Sequence, residues 1–140
     1  LWPNVDSGTD NISRAIRIFI NKKKQYKVGA YINFTPEDYI RLIYNSISLI
    51  GNSSSGIRES SYIGLPVVNI GSRQQNRERG KNVIDVKNQT SDILRAINKQ
   101  VIKKKYKKNH LYGDGNSGKR IADILIKSKI SLIKSLNYLK

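Results

Sequence analysis

Apolar positions in the first 50 residues follow first a helical and then a strand-like spacing. From Thr9 the apolar side chains recur every third or fourth residue over Ile12–Ile20, which predicts a helix with one buried face. The alternating segment Tyr26–Ile32 predicts a strand. Thr35 and Pro36 predict the start of a second helix, because threonine caps free amides and proline suits the first helical position.

Compact apolar runs and further helix patterns fill the rest of the chain. The runs predict buried parallel strands at Ile47–Ile50, Pro66–Ile70 and, more weakly, Asn82–Val86. A polar loop and short helix at Asn52–Ile63, a helix capped by Thr90 and a long helix from about Ser117 towards Leu139 are predicted between and after them. Strands that alternate with helices indicate the α/β class, with a parallel, doubly wound sheet.

Length and composition limit what kind of protein this is. With 140 residues, of which 38% are apolar, the chain can form one modest core, so one domain is expected. The absence of cysteine excludes disulfides and thiolate metal sites. Because there is no signal-peptide pattern and no apolar run long enough to span a membrane, we expect a cytoplasmic protein. The chain lacks an initiator methionine and enters a helix within a few residues, so we expect it to be part of a longer protein.

The net charge of +16 suggests a polyanionic partner such as a nucleic acid or an anionic membrane. The densest lysine runs, however, lie at the ends of predicted helices, where cations complement the helix dipole and stay solvated. No nucleic-acid-binding motif is present, so we predict neither a nucleic-acid nor a membrane partner. His110 is the only histidine, which excludes a histidine cluster for a metal ion and disfavours a Ser-His-Asp hydrolase.

The loops that follow Ile50 and Ile70 are the predicted site, because ligands of open α/β sheets bind at the carboxyl ends of the strands. In the first loop, Ser53 and Ser54 could hold a phosphate together with the helix amides, and the carboxylate of Glu59 could accept hydrogen bonds from both hydroxyls of a ribose. In the second loop, Arg73 could neutralise a diphosphate. The alternatives are a polar turn with a serine cap and a solvated Arg/Glu-rich loop.

One glycine-rich segment imitates a phosphate-binding loop. Gly113–Lys119 fits most of the G-x-x-x-x-G-K-[ST] pattern, but Arg120 stands where a magnesium-binding hydroxyl is required. The preceding residues also make a poor buried strand. The segment is therefore interpreted as a turn that caps the last helix.

Four blocks, in this order and spacing, carry a resemblance to one known family. They are Trp2–Gly8, Gly51–Glu59, Gly64–Gln74 with Arg77-Glu78 and Asn82-Val83, and Tyr112–Asn116. Together they resemble the UDP-N-acetylglucosamine 2-epimerases over Leu1 to about Ile124. The block around Arg73-Gln74 is similar to the hydrolysing branch, which serves sialic acid and legionaminic acid-type synthesis.

The resemblance implies a fold and a domain organisation. It implies a Rossmann-like, three-layer parallel sheet that forms the C-terminal half of a two-domain GT-B architecture and is incomplete at its N-terminus. The domain would comprise residues 1–140, with a core over about 1–115 and a C-terminal helix over about 117–139. The catalytic residues would lie in the missing N-terminal half, so none is predicted in this chain and the chain alone is expected to be inactive.

The resemblance also implies site residues and partners. Ser53 and Ser54 would contact the diphosphate of UDP and Glu59 the ribose, while Arg73 and Asn4 would contact the phosphate region and the backbone near Phe34 the uracil. The implied partners are a UDP-sugar, the N-terminal domain and, in the full-length protein, a second copy in a homo-oligomer; no cofactor is expected. The reaction would eliminate UDP from the sugar and hydrate the glycal to N-acetylmannosamine or a related sugar. Two alternatives remain, a GT-B glycosyltransferase domain and a basic nucleic-acid-binding module.

Overall fold

The computed structural model describes residues 1–3, 9–22 and 25–129, and the chain divides into two units, Leu1–Ser46 and Ile47–Lys140. The first unit contains helix α1 (Thr9–Lys22) and helix α2 (Pro36–Tyr44). The second contains strand β1 (Leu49–Gly51), a 3-10 turn (Ser54–Gly56), helix α3 (Glu59–Ile63), strands β2 (Val67–Ile70) and β3 (Val83–Val86), and helices α4 (Thr90–Lys103) and α5 (Ser117–Lys127).

Both helices predicted in the first unit are present. Thr35 caps α2 as predicted, since its Oγ1 accepts a hydrogen bond from the backbone N–H of Asp38 at 3.2 Å, and Pro36 occupies the first helical position. The predicted apolar face of α1 is not buried, because Ile12 and Phe19 are 54% and 47% exposed.

The strand predicted at Tyr26–Ile32 is wrong. A strand requires a ladder of hydrogen bonds to a neighbour, and no β-ladder forms among the described residues of this unit. The backbone N–H of Trp2 donates one bond, of 2.7 Å, to the carbonyl of Tyr31. The aromatic residues of the segment instead pack on rings within the same unit: Tyr26 stacks on Phe19, and Tyr31 packs on Phe34. The other apolar positions of the alternation are exposed, Val28 to 44% and Ile32 to 84%, so the pattern does not correspond to a buried face.

The second unit contains a three-stranded parallel sheet in the order β1-β2-β3. Its core lies around the central strand β2, where Val67 and Val68 are almost fully buried together with Ile57 and Leu65. Strand β1 starts two residues later than predicted. Its Ile50 is 49% exposed, so this strand is less buried than its apolar run suggested.

The helices of the second unit also differ in their ends from the prediction. The residue before α4 is Gln89, which makes no side-chain capping bond, so Thr90 is the first helical residue and not the cap. Helix α5 ends at Lys127 and not near Leu139. Ser128 has extended backbone angles, so the helix does not continue through it, although its N–H still donates to the carbonyls of Ile124 and Leu125. The remainder of the predicted helix, residues 130–140, lies outside the described part of the chain.

The α/β class is confirmed by the parallel sheet and the five α-helices in the described part of the chain. None of the helices described is both long and apolar enough to cross a membrane.

Candidate functional site

The predicted loops follow two strands that are direct neighbours. Gly51, at the end of β1, pairs in register with Asn69 of β2, so the chain leaves both strands at the same edge of the sheet. Gly51 and Gly71 have φ angles of 144° and 79°, in the left-handed region that glycine enters without strain. These glycines turn the chain sharply at the edge where a ligand of a parallel sheet is expected.

The loop after β1 is held by its serines and by a close approach to the sheet. Ser53 caps the 3-10 turn. Its Oγ accepts a bond from the backbone N–H of Ser55 at 3.4 Å and lies 3.0 Å from the Ser55 Oγ. A Cβ on Gly56 would lie 3.0 Å from Cγ1 of Val67 and 3.2 Å from Cδ2 of Leu49. To admit a side chain here, Val67 and Leu49 would have to shift by a few tenths of an ångström, so glycine lets this turn lie close against the sheet.

Glu59 is the first residue of α3, one turn beyond the serine loop. Its side chain is half-buried, and Oε2 is buried without a hydrogen-bond partner in the described part of the chain. Burying a carboxylate oxygen without a donor is costly. This acceptor therefore suits a ligand that brings a hydroxyl or an N–H group.

Gln74 joins the two loops, and its role was not predicted from the sequence. It is 4% exposed, and its Nε2 donates a hydrogen bond of 2.8 Å to the carbonyl of Asn52, directly before the serine loop. The other amide atom, Oε1, is buried and has no partner among the described residues. The only sequence signal was its place beside Arg73 in the second loop.

The six predicted binding residues have different outcomes. Ser53 and Ser54 lie in the first loop and Arg73 in the second, and the bond between Gln74 and Asn52 connects these loops. Arg73 is exposed and makes contacts within the protein. Asn4 lies outside the described residues. Phe34 belongs to the first unit, where its backbone N–H donates to Oδ1 of Asn33 at 2.9 Å.

An open hollow of about 730 Å³ lies at the same edge of the sheet, on the side of β3. Its walls are the loop after β2, the side chain of Arg79 and residues 85–88. Ser53, Glu59 and Arg73 do not line it. The hollow is therefore adjacent to the predicted site and is not that site itself.

The glycine-rich segment before α5 is held by an ion pair. Arg120 donates two hydrogen bonds to the Asp114 carboxylate, at 2.9 and 2.7 Å, and the backbone N–H of Asn116 donates a third. The guanidinium and this amide hold the pKa of Asp114 well below its ordinary value. Arg120 thus closes the turn. Asn116, at the cap position of α5, makes no side-chain capping bond.

His110 is exposed, and its ring forms a T-shaped pair with the ring of Tyr62 at 5.4 Å between centroids. No cluster of metal-ligating side chains is found in the part of the chain that the structure describes.

The fold and these loops define an α/β protein whose candidate binding edge lies at the carboxyl ends of parallel strands. The family model of the UDP-N-acetylglucosamine 2-epimerases matches residues 2–126, so the chain belongs to this family.

Three curated proteins illustrate the similarity. The chain is 43% identical over 95 residues to "Polysialic acid biosynthesis protein P7" of Escherichia coli, covering 68% of the chain and 24% of that protein. It is 38% identical over 125 residues to "UDP-N,N'-diacetylbacillosamine 2-epimerase (hydrolyzing)" of Legionella pneumophila, covering 89% of the chain and 32% of that protein. It is 30% identical over 128 residues to "UDP-N-acetylglucosamine 2-epimerase" of Neisseria meningitidis serogroup B, covering 89% of the chain and 33% of that protein. The chain thus spans between about a quarter and a third of the length of these relatives.

Proposed function

We propose that this chain is the UDP-binding, Rossmann-like C-terminal domain of a hydrolysing UDP-N-acetylglucosamine 2-epimerase of the GT-B architecture. The observation that carries the proposal is the buried, unpartnered Oε2 of Glu59, one turn beyond the serine loop at the end of β1. A ribose supplies two neighbouring hydroxyl donors, which suit a carboxylate at this position.

The diphosphate would lie between the two loops. In this arrangement the hydroxyls of Ser53 and Ser54 donate to phosphate oxygens, and the guanidinium of Arg73 pairs with them from the second loop. Asn4 is proposed to contact the same phosphates. Uracil would lie by the backbone of Phe34. The Phe34 carbonyl would accept a hydrogen bond from an N–H of uracil, because the N–H of Phe34 already donates to the Asn33 side chain.

The chemical contribution of these residues would be electrostatic. When the sugar loses the proton on C2 and the bond from C1 to the diphosphate oxygen breaks, negative charge builds on the departing phosphate. Hydrogen-bond donors and a cation that are already in place stabilise that charge at little cost in reorganisation. Proton transfer and hydration of the resulting glycal are assigned to residues outside this chain.

The sugar is proposed to be N-acetylglucosamine or a diacetamido analogue. The Neisseria relative's name specifies the former and the Legionella relative's name the latter. A glycosyltransferase of similar architecture would instead transfer the sugar to an acceptor.

Product analysis of the intact protein tests the proposal. Incubation with UDP-N-acetylglucosamine, and separately with the diacetamido sugar nucleotide, should release UDP and a free manno-configured sugar without any acceptor. Arg73→Ala should weaken UDP binding by about 1–3 kcal/mol through loss of charged hydrogen bonds, measured by calorimetry. Sugar transfer that requires an acceptor, or salt-sensitive RNA binding unaffected by UDP, would support one of the two alternatives instead.

A further inference from the structure

Arg79 lies in the second loop but is turned inward by three contacts. Its NH2 donates to the carbonyl of Gln74 at 2.7 Å, and its NH1 donates to the carbonyl of Arg77. Its Nε lies 2.6 Å from Oδ2 of Asp85. The two groups form an ion pair but do not meet the geometry of a hydrogen bond. The side chain is 23% exposed. The contacts thus involve all three guanidinium nitrogens.

The carboxylate that receives Arg79 is itself fixed to the sheet. Asp85 in β3 pairs in register with Asn69 in β2, and Nδ2 of Asn69 donates to Oδ1 of Asp85 at 2.6 Å. Asn69 is 1% exposed. The Asp85 carboxylate is therefore tied to the buried central strand, although 46% of its own side chain is exposed.

A continuous chain of contacts leads from this anchor to the serine loop. Arg79 holds the backbone carbonyl of Gln74, and the Gln74 side chain holds the carbonyl of Asn52, the residue before Ser53. We call Asp85, Arg79 and Gln74 the arginine brace. Two guanidinium nitrogens of Arg79 donate to backbone carbonyls and the third lies against a carboxylate, so the side chain is directed into its own loop and can fix that loop in one geometry.

We propose that Arg79 is a positioning residue for the nucleotide site, acting through Gln74 on the serine loop; this inference rests on the proposed function. By fixing the serine loop through Gln74 before UDP arrives, the brace removes the ordering cost that binding would otherwise carry. Arg79 does not contact the ligand.

Calorimetric titration of the intact protein with UDP tests the brace. Arg79→Met should weaken UDP binding about tenfold, equivalent to losing one hydrogen bond to a charged group. Arg79→Lys, which can still reach Asp85 or the Gln74 carbonyl, should recover part of that loss. Arg77→Met removes the same charge from an exposed neighbour in the same loop and should leave affinity within about twofold.

A double-mutant cycle separates positioning from direct contact and from simple loss of stability. In a Gln74→Ala background, Arg79→Met should have no further effect on UDP affinity, because the chain of contacts is already broken. Full additivity of the two changes would mean that Arg79 acts on the ligand directly, and would overturn the proposal. Unchanged UDP affinity of Arg79→Met, at a temperature well below its thermal midpoint, would also overturn it.

If Arg79→Met does not fold, Asp85→Asn provides the same test by weakening the anchor, with the same tenfold criterion. The unmodified protein and Glu59→Ala distinguish the two proposals. If the unmodified protein does not bind UDP, the proposed function fails. If it binds UDP and Glu59→Ala weakens binding, but the brace variants do not, only the brace is wrong.

Discussion

Replacement of Glu59 by alanine should affect binding and stability in different ways. In the unliganded protein Oε2 is buried without a donor, and such an acceptor costs about 1–3 kcal/mol. The substitution removes this cost. It also removes an acid from the first turn of α3, which contributes about 0.3–1 kcal/mol, and part of the packing of a half-buried stem. Because the gain and the losses oppose each other, the substitution should not lower the free energy of unfolding by more than about 1 kcal/mol.

The effect on UDP binding should be much larger. If the ribose hydroxyls donate to this carboxylate, their hydrogen bonds contribute about 1.5–3 kcal/mol, which corresponds to a loss of about 10- to 150-fold in affinity. Calorimetry with UDP gives the affinity, and denaturant unfolding of the same preparations gives the stability. Glu59→Gln keeps one acceptor oxygen, so its UDP affinity should lie between those of the unmodified protein and Glu59→Ala.

The matched control is Asp92→Ala, which removes an acid from the first turn of α4. Asp92 forms an exposed ion pair with Arg95 at 3.7 Å, so its loss should cost no more than about 1 kcal/mol of stability and should leave UDP affinity unchanged. The reasoning is refuted if Glu59→Ala lowers stability by several kcal/mol while UDP affinity stays the same. That result would make the carboxylate a structural group.

Three further predictions concern the second unit. Gly56→Ala should destabilise the protein by about 1–3 kcal/mol, because the Cβ of the new alanine would press on the buried Val67. Thermal unfolding of the variant and the unmodified protein would measure this difference. Gln100→Leu should lower the free energy of unfolding in urea by about 3 kcal/mol, since the fully buried amide makes three hydrogen bonds of about 1 kcal/mol each. The Asp114 carboxylate should titrate below its ordinary pKa in a carbon-13 NMR titration; the stabilisation from its pair with Arg120 is present above the ordinary pKa and is lost as the pH falls through the lowered value.

Each of these predictions has a control. Gly118→Ala places a methyl group in open space and should not destabilise the protein as Gly56→Ala does. Lys99→Ala changes an exposed neighbour of Gln100 on the same helix and should stay within about 0.5 kcal/mol of the unmodified protein. Arg120→Met should raise the Asp114 pKa towards its ordinary value. An unshifted pKa in the unmodified protein, or equal losses in variant and control, would contradict the corresponding prediction.

The local signals in the sequence were sufficient where a few neighbouring residues decide the structure. Thr35 and Pro36 set the start of α2, and the apolar run before Gly71 became the central strand β2. The small residues from Gly51 to Gly56 were recognised as an unusual loop at a strand end. The helix start and the loop depend on contacts within a few residues in the chain, whereas β2 shows its buried position through its apolar run although it pairs with strands distant in the chain.

The segment Tyr26–Ile32 shows where such signals fail. An alternating pattern states which side chains share a face, but a strand exists only if another strand supplies its hydrogen bonds. Similarly, the helical pattern after Ser117 carried no sign that the backbone would become extended at Ser128 and end the helix there.

What the sequence determined by itself is the α/β class, the position of the two candidate loops and the residue types available in them. Only the tertiary structure decided that Gln74 ties these loops together, that Arg79 is held by Asp85 from a separate strand, and that Glu59 retains an unpartnered buried oxygen. These properties depend on contacts between different elements of the fold and on exclusion of water from single atoms. Neither quantity is encoded in local spacing, because both arise only when the strands assemble.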